Sequence, residues 1–254
     1  SSLRFTKGID FDFAGSDITS IAAGARVLVV KNRAAFEGLY GDALPVAGEY
    51  QFSTSASLSN GGERLKLSFG TGAAIRDFDY DDRFPWPESP DGGGTSLVLI
   101  DPSGNPDHSL ASNWRPSATI DGNPGTSDAA APFSGDPNLD RDHDGLSAFM
   151  EHALGTSDLI PDHDMKPSFG VGIFDAGNGT DREYITISYQ RNLAADDVVF
   201  EAQVSTDLVA WSILGTTYVS VSHNGDGTET VTCRSSTPIA FIPREFIRLR
   251  VRSR

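Results

Sequence analysis

A short acidic stretch, residues 127–165, divides this chain of 254 residues into two halves. It holds nine acidic residues and one basic residue, so more than half of the formal net charge of −15 lies within it. The flanking segments, 1–126 and 166–254, consist of short apolar or alternating runs separated by glycine and proline. Such patterns are typical of strand-rich domains. Any fold of the chain must therefore place a cluster of like charges between two β-rich parts.

Residues 140–151 within this stretch follow the spacing of a twelve-residue calcium loop. Aspartates occupy positions 1, 3 and 5, glycine occupies position 6, and glutamate occupies position 12. Alternate side chains turn their carboxylates to one centre, and position 7 offers its backbone carbonyl. The predicted ligands of one structural Ca²⁺ are Asp140, Asp142, Asp144, Leu146 and Glu151. The alternative is a solvated acidic segment without an ion. The nearby Asp158, Asp162 and Asp164 are candidates for a second ion site, but no glycine lies at the required offset, so a solvated turn is favoured there.

Two helices are predicted. Apolar residues spaced at 146–154 favour an amphipathic helix after the loop, ended by Gly155. A shorter helix is expected over Arg33–Tyr40, capped by Asn32 and ended by Gly41.

The rest of the chain indicates strands and turns. Apolar residues alternate with polar ones in Glu63–Phe69, while residues 26–30 and 96–100 predict short strands buried on both faces. An Asn-Gly-Asp-Gly sequence at 224–227 predicts a hairpin. In the last strand the apolar residues at 247, 249 and 251 are expected to point inward, and the intervening arginines to pair with acids such as Glu201. No alternation of strands with helices is present, so the pattern predicts an all-β chain of two β-sandwiches.

Several functional classes are disfavoured by composition. None of the three segments is net positive, which argues against binding to a phosphate backbone. The longest apolar run, around 27–30, is far shorter than the ~20 residues of a membrane-spanning helix. No nucleophile-elbow, P-loop or H-E-x-x-H motif is present, and Cys233 is expected to be a buried, inert thiol. We therefore expect no enzyme.

Trp86 and Trp114 are candidate platforms for stacking a sugar ring, with packing over a sandwich end as the alternative.

Residues 1–126 resemble the bacterial lamin-tail domain, an immunoglobulin-like β-sandwich of secreted multidomain proteins. The matching stretches lie at 9–13, 21–36, 58–67, 85–87, 91–102, 112–115 and 122–125. The segment 136–158 is similar to the calcium loops of thrombospondin type 3 and dockerin repeats. Residues 182–254 are similar to a C-terminal β-module of exported proteins from verrucomicrobial-type bacteria. The lamin-tail pattern opens with further strands that are missing here, which implies that another segment or chain completes the N-terminal sandwich.

The expected architecture is therefore all-β, with two immunoglobulin-like sandwiches, 1–126 and 166–254, joined by a calcium-binding loop-helix linker at 127–165. The resemblance implies a secreted or cell-surface structural or adhesion module, with calcium fixing the linker. The alternative is an accessory region of a larger secreted hydrolase that binds a polymer or carbohydrate through Trp86 or Trp114. Neither interpretation includes nucleic acid or a membrane span.

Overall fold

The computed structural model describes residues 3–52 and 58–254 and divides the chain into two compact units. The first unit is Ser1–Asp128 and the second is Ala129–Arg254. Strands in several sheets dominate both units, and the described residues contain two α-helices, so the all-β prediction is confirmed at this level. No helix in the described ranges is long and apolar enough to cross a lipid bilayer.

The first unit contains nine strands and one α-helix in its described residues. The strands are β1 (Arg4–Lys7), β2 (Ile9–Asp12), β3 (Leu28–Val30), β4 (Val46–Glu49), β5 (Gln51–Phe52), β6 (Glu63–Phe69), β7 (Ala73–Tyr80), β8 (Leu97–Leu99) and β9 (Trp114–Pro116). An antiparallel sheet has the order β5-β2-β1-β6-β7, while β3 pairs with β4 in parallel and β8 pairs with β9. The edge strands of the large sheet are β5 and β7.

Local sequence signals account for much of this unit. Helix α1 spans Arg33–Tyr40, because the Asn32 side chain accepts the N–H of Ala35 and Gly41 ends the helix at a φ of 82°. Two strand predictions need correction. The strands expected at 26–30 and 96–100 are only three residues long, and most of their residues are half-buried rather than covered on both faces. Each is one member of a two-stranded pair, so no broad sheet encloses it.

The second unit begins with an acidic loop and the helix α2 (Ala148–Leu154). Its strands are β10 (Ser168–Asp175), β11 (Asp181–Asn192), β12 (Val198–Ser205), β13 (Thr216–His223), β14 (Thr228–Ser235) and β15 (Phe246–Ser253). A four-stranded antiparallel sheet has the order β10-β11-β14-β13, and β12 pairs with β15. The hairpin predicted from 224–227 joins β13 to β14.

The core of this unit lies between its two sheets. Ile187 and Val231 are fully buried on the larger sheet and pack against Ala202, Ile247 and Leu249 of the smaller one. A second cluster places Ala153 of α2 against Val198, so the helix closes one end of the core. Burial of this apolar surface supplies the main stabilisation of the unit, at roughly 25 cal/mol per Å².

The segment after residue 128 folds with the second unit. The backbone N–H of Phe133 donates to the Asp197 carboxylate at 2.8 Å, and the ring of Phe133 lies edge-on to Phe149 of α2 at 5.3 Å. Asp128 belongs to the first unit, where its side chain pairs with Arg115. The boundary between units therefore falls at 128/129, within the predicted linker.

The buried thiol of Cys233 gives a direct test of core closure. Cys233 lies on β14 with 2% of its surface exposed, and burial raises the pKa of its thiol to about 11. Because the thiolate is the reactive form, we expect alkylation by iodoacetamide at pH 8 to be about 10²-fold slower in the native chain than after denaturation. Mass spectrometry of the labelled protein measures the two rates. Equal rates would mean that the core of the second unit opens freely.

Candidate metal centre

Three aspartates of the second unit converge, as their spacing predicts. One carboxylate oxygen each from Asp140, Asp142 and Asp144 lies within 4.8 Å of the other two. Asp144 is buried and the other two are half-buried. An oxygen of Asp140 and an oxygen of Asp142 are buried without a hydrogen-bond partner among the described residues. The cluster therefore brings carboxylate oxygens close together, and one oxygen of Asp140 and one of Asp142 lack a donor among the described residues.

The loop backbone brings these carboxylates together. Gly145 has a φ of 91°, in the left-handed region that favours glycine, and this supports the predicted turn at loop position 6. The N–H of Gly145 donates to Asp140 at 3.1 Å, and the N–H of Leu146 donates to Asp144 at 2.7 Å. These bonds use one oxygen of each carboxylate and hold the side chains inside the turn. The side chain of Leu146, whose backbone carbonyl is one of the five predicted ligands, is buried.

Helix α2 positions Glu151, which is predicted as the last ligand but is not a member of the cluster formed by the three aspartates. The helix begins after Ser147, whose side chain accepts the N–H of Met150, and ends at Gly155 with a φ of 81°. This start places Glu151 in the first turn, facing the protein interior, with 1% of its surface exposed. Both carboxylate oxygens of Glu151 are buried and accept no hydrogen bond from the described residues. A buried carboxylate without donors is strongly unfavourable unless a proton or a cation balances it.

The pKa of the Glu151 carboxyl is raised by burial and by the negative charges of nearby aspartates. Burial, followed by the charges of Asp142 and Asp144, raises the pKa of the Glu151 carboxyl to about 7. Asp158 and Asp162 raise it further. Each of these groups favours the presence of positive charge at the centre.

The turn after α2 also belongs to the surroundings of this centre, which the sequence analysis did not predict. The N–H of Asp162 donates to Asp144 at 2.9 Å, and Asp158 is paired with Arg141 at 2.8 Å. The Lys166 ammonium group donates to the backbone carbonyl of Asp144. The interpretation of this turn as freely solvated is too simple for Asp158 and Asp162, because both lie near enough to influence Glu151. Their distance from the loop in sequence left no local signal.

The donor set fits a hard divalent cation. The groups that converge are carboxylates, with neither a cysteine nor a histidine among the clustered residues. Ca²⁺ takes six to eight oxygens at about 2.3–2.6 Å, in flexible geometry that loops of this kind accommodate. Asp140, Asp142, Asp144, Glu151 and the carbonyl of Leu146 would hold such an ion, and water would complete its shell.

The two candidate stacking residues of the first unit lie together. The indoles of Trp86 and Trp114 are 6.0 Å apart, and Trp114 also stacks on Phe78 at 5.6 Å. The Trp114 indole N–H donates to the carbonyl of His108 at 2.9 Å. Both tryptophans are half-buried, so this cluster packs part of the unit. Sugar stacking on these rings stays a prediction.

Comparisons of the chain with protein-family models, curated proteins and solved structures gave no match. The function of the chain is therefore inferred from the chemistry of its residues.

Proposed function

We propose that this chain is a non-catalytic structural or adhesion module of a secreted or cell-surface protein, stabilised by one calcium ion in the loop 140–151. The observation that carries the proposal is the convergence of Asp140, Asp142 and Asp144, together with Glu151, whose two unpartnered oxygens are buried and whose pKa is raised by burial and by the charges of Asp142 and Asp144. Balancing this charge with a proton would leave the aspartates unneutralised. A Ca²⁺ ion satisfies all four side chains at once.

The proposed extracellular location agrees with the weak affinity expected of a single loop. Single loops in extracellular modules bind with dissociation constants of about 10⁻⁴–10⁻³ M, which suits surroundings that hold millimolar calcium. Sensor proteins use paired loops to open a groove, and the sequence contains one loop of this pattern. The ion's proposed role is therefore to order the acidic loop of the second unit and to fix α2 at the end of that unit's core.

We also propose immunoglobulin-like sandwiches for the two units. Support for the second comes from its strand order, β10-β11-β14-β13 beside β12-β15, which follows the ABED and CF strands of an immunoglobulin domain. For the first unit the support is the resemblance of 1–126 to the lamin-tail domain. Completion of that unit by a strand from another segment or chain remains part of the proposal.

Calcium titration of Glu151→Gln tests the proposed site. We expect the native chain to bind one Ca²⁺ with a dissociation constant of about 10⁻⁴–10⁻³ M in calorimetry. Glu151→Gln keeps the shape of the side chain but removes its charge, and we expect affinity to fall at least about tenfold.

Glu183→Gln is the matched control, because Glu183 is an exposed acid of the same unit outside the loop. Its affinity for calcium should equal that of the native chain. Equal binding by Glu151→Gln, or no binding by the native chain, would contradict the proposal.

A further inference from the structure

The two sheets of the second unit differ in width. The larger sheet has four strands and the smaller has two. Strand β15 contacts β11, and β12 contacts β13, so the smaller sheet covers the part of the larger one that runs from β11 to β13. A further strand added to the smaller sheet beside β15, on the side away from β12, would therefore lie over β10 of the larger sheet.

The inner face of β10 is apolar and uncovered. Phe169 and Val171 pair with Ile187 and Ile185 of β11, so they lie on the same face of the sheet as the fully buried Ile187. Yet Phe169, Val171 and Ile173 are 62%, 58% and 66% exposed. We call these three residues the β10 row. The β10 row extends the apolar inner face of the larger sheet beyond the part that the smaller sheet covers.

Strand β15 presents a free edge toward this place. Within the described residues, its hydrogen-bonded neighbour in the sheet is β12 alone. Its inward residues Ile247, Leu249 and Val251 are only half-buried, whereas Val231 and Cys233 of the larger sheet are 0% and 2% exposed. A strand edge of eight residues offers unpaired N–H and C=O groups that pair readily with another extended segment.

Charge on the outer face of β15 restricts what that segment can be. Arg250 and Arg252 share one acid, Glu201 of β12, at 3.6 Å and 2.8 Å, and their side chains remain 53% and 45% exposed. Arg248 lies over the ring of Trp211 on the same face. Outward side chains of a neighbouring strand would lie directly beside these arginines, where acidic groups are favoured.

We propose that β15 and the β10 row form a docking groove for an extended polypeptide segment in which apolar residues alternate with acidic ones. The segment adds a strand to the free edge of β15, its apolar side chains cover the β10 row, and its acidic side chains pair with the outward arginines. This mode of binding is β-strand addition, in which backbone bonds provide affinity and alternate side chains provide specificity. The groove is separate from the calcium loop. A negative result for peptide binding would therefore leave the proposed calcium site unaffected.

A capped eight-residue peptide of alternating valine and glutamate, matched to the length of β15, tests the groove on the intact chain. Calorimetry in saturating calcium should show saturable binding of one peptide per chain. A peptide with the same composition, but with its valines and glutamates in separate blocks, and a valine-lysine peptide should each bind at least about tenfold more weakly. No binding, or equal binding of the block peptide, would overturn the proposal.

Variants of the protein locate the binding. Val171→Thr combined with Ile173→Thr should weaken the peptide at least about tenfold, whereas Leu214→Thr, at a residue 89% exposed, should not. Arg250→Glu should shift preference toward the valine-lysine peptide. Unchanged binding by the β10 variant would overturn the proposal. So would sedimentation showing that a second copy of the chain occupies this face and that the peptide does not displace it.

Discussion

In saturating calcium, the second unit is expected to unfold at a temperature roughly 10 °C higher than in chelator. An ion that binds only the folded state stabilises it by RT ln(1 + [Ca²⁺]/Kd), which is about 2.7 kcal/mol at a hundred times Kd. Differential scanning calorimetry at matched ionic strength measures the shift. Because all five predicted ligands lie between residues 140 and 151, the transition of the first unit should not move.

Glu151→Gln separates calcium binding from a general effect of salt. The variant should lose most of the calcium-dependent shift, since one of the ligands is gone. In chelator it should unfold at the same or a higher temperature than the native chain, because a buried, unpaired charge has been removed. Glu183→Gln should behave like the native chain in both conditions. A full calcium shift in Glu151→Gln would show that the ion binds elsewhere.

The candidate site could be predicted from sequence because its geometry is local. Alternate aspartates and a glycine at the turn lie within six residues, so their spacing alone brings the three aspartate carboxylates together. What the spacing could not show is that Glu151 is buried without donors, or that Asp158 and Asp162 lie close by. Both depend on how the later turn folds back on the loop.

For the fold as well, features set by neighbouring residues could be predicted, and features set by contacts distant in sequence could not. The caps of α1, the 224–227 hairpin and the alternation of β15 are set by neighbouring residues, and all three are confirmed. The pairing of Arg250 and Arg252 with Glu201 is also confirmed. By contrast, the parallel pairing of β3 with β4 and the unequal width of the two sheets depend on contacts distant in sequence. Propensity patterns do not encode such pairings.

The end of the first unit depends on a buried ion pair that the sequence analysis did not single out. Arg115 of β9 donates to the Asp128 carboxylate at 2.5 Å, and their side chains are 8% and 4% exposed. The same carboxylate oxygen accepts the N–H of Ala118 at 2.8 Å. Asp128, the last residue of the first unit, is therefore held against strand β9. It lies in a segment that is otherwise rich in glycine, proline and small residues.

Arg115→Met is expected to lower the free energy of unfolding of the first unit by about 3–5 kcal/mol, because it leaves the Asp128 charge buried without its partner. Urea denaturation followed by tryptophan fluorescence measures this loss. The double variant Arg115→Met and Asp128→Leu should recover much of the stability, since no charge is then left buried. Arg33→Met breaks an exposed pair with Glu37 and should change stability little, because water screens that pair. If Arg115→Met were as mild as Arg33→Met, Asp128 would have access to water and the pair would not hold this end of the unit.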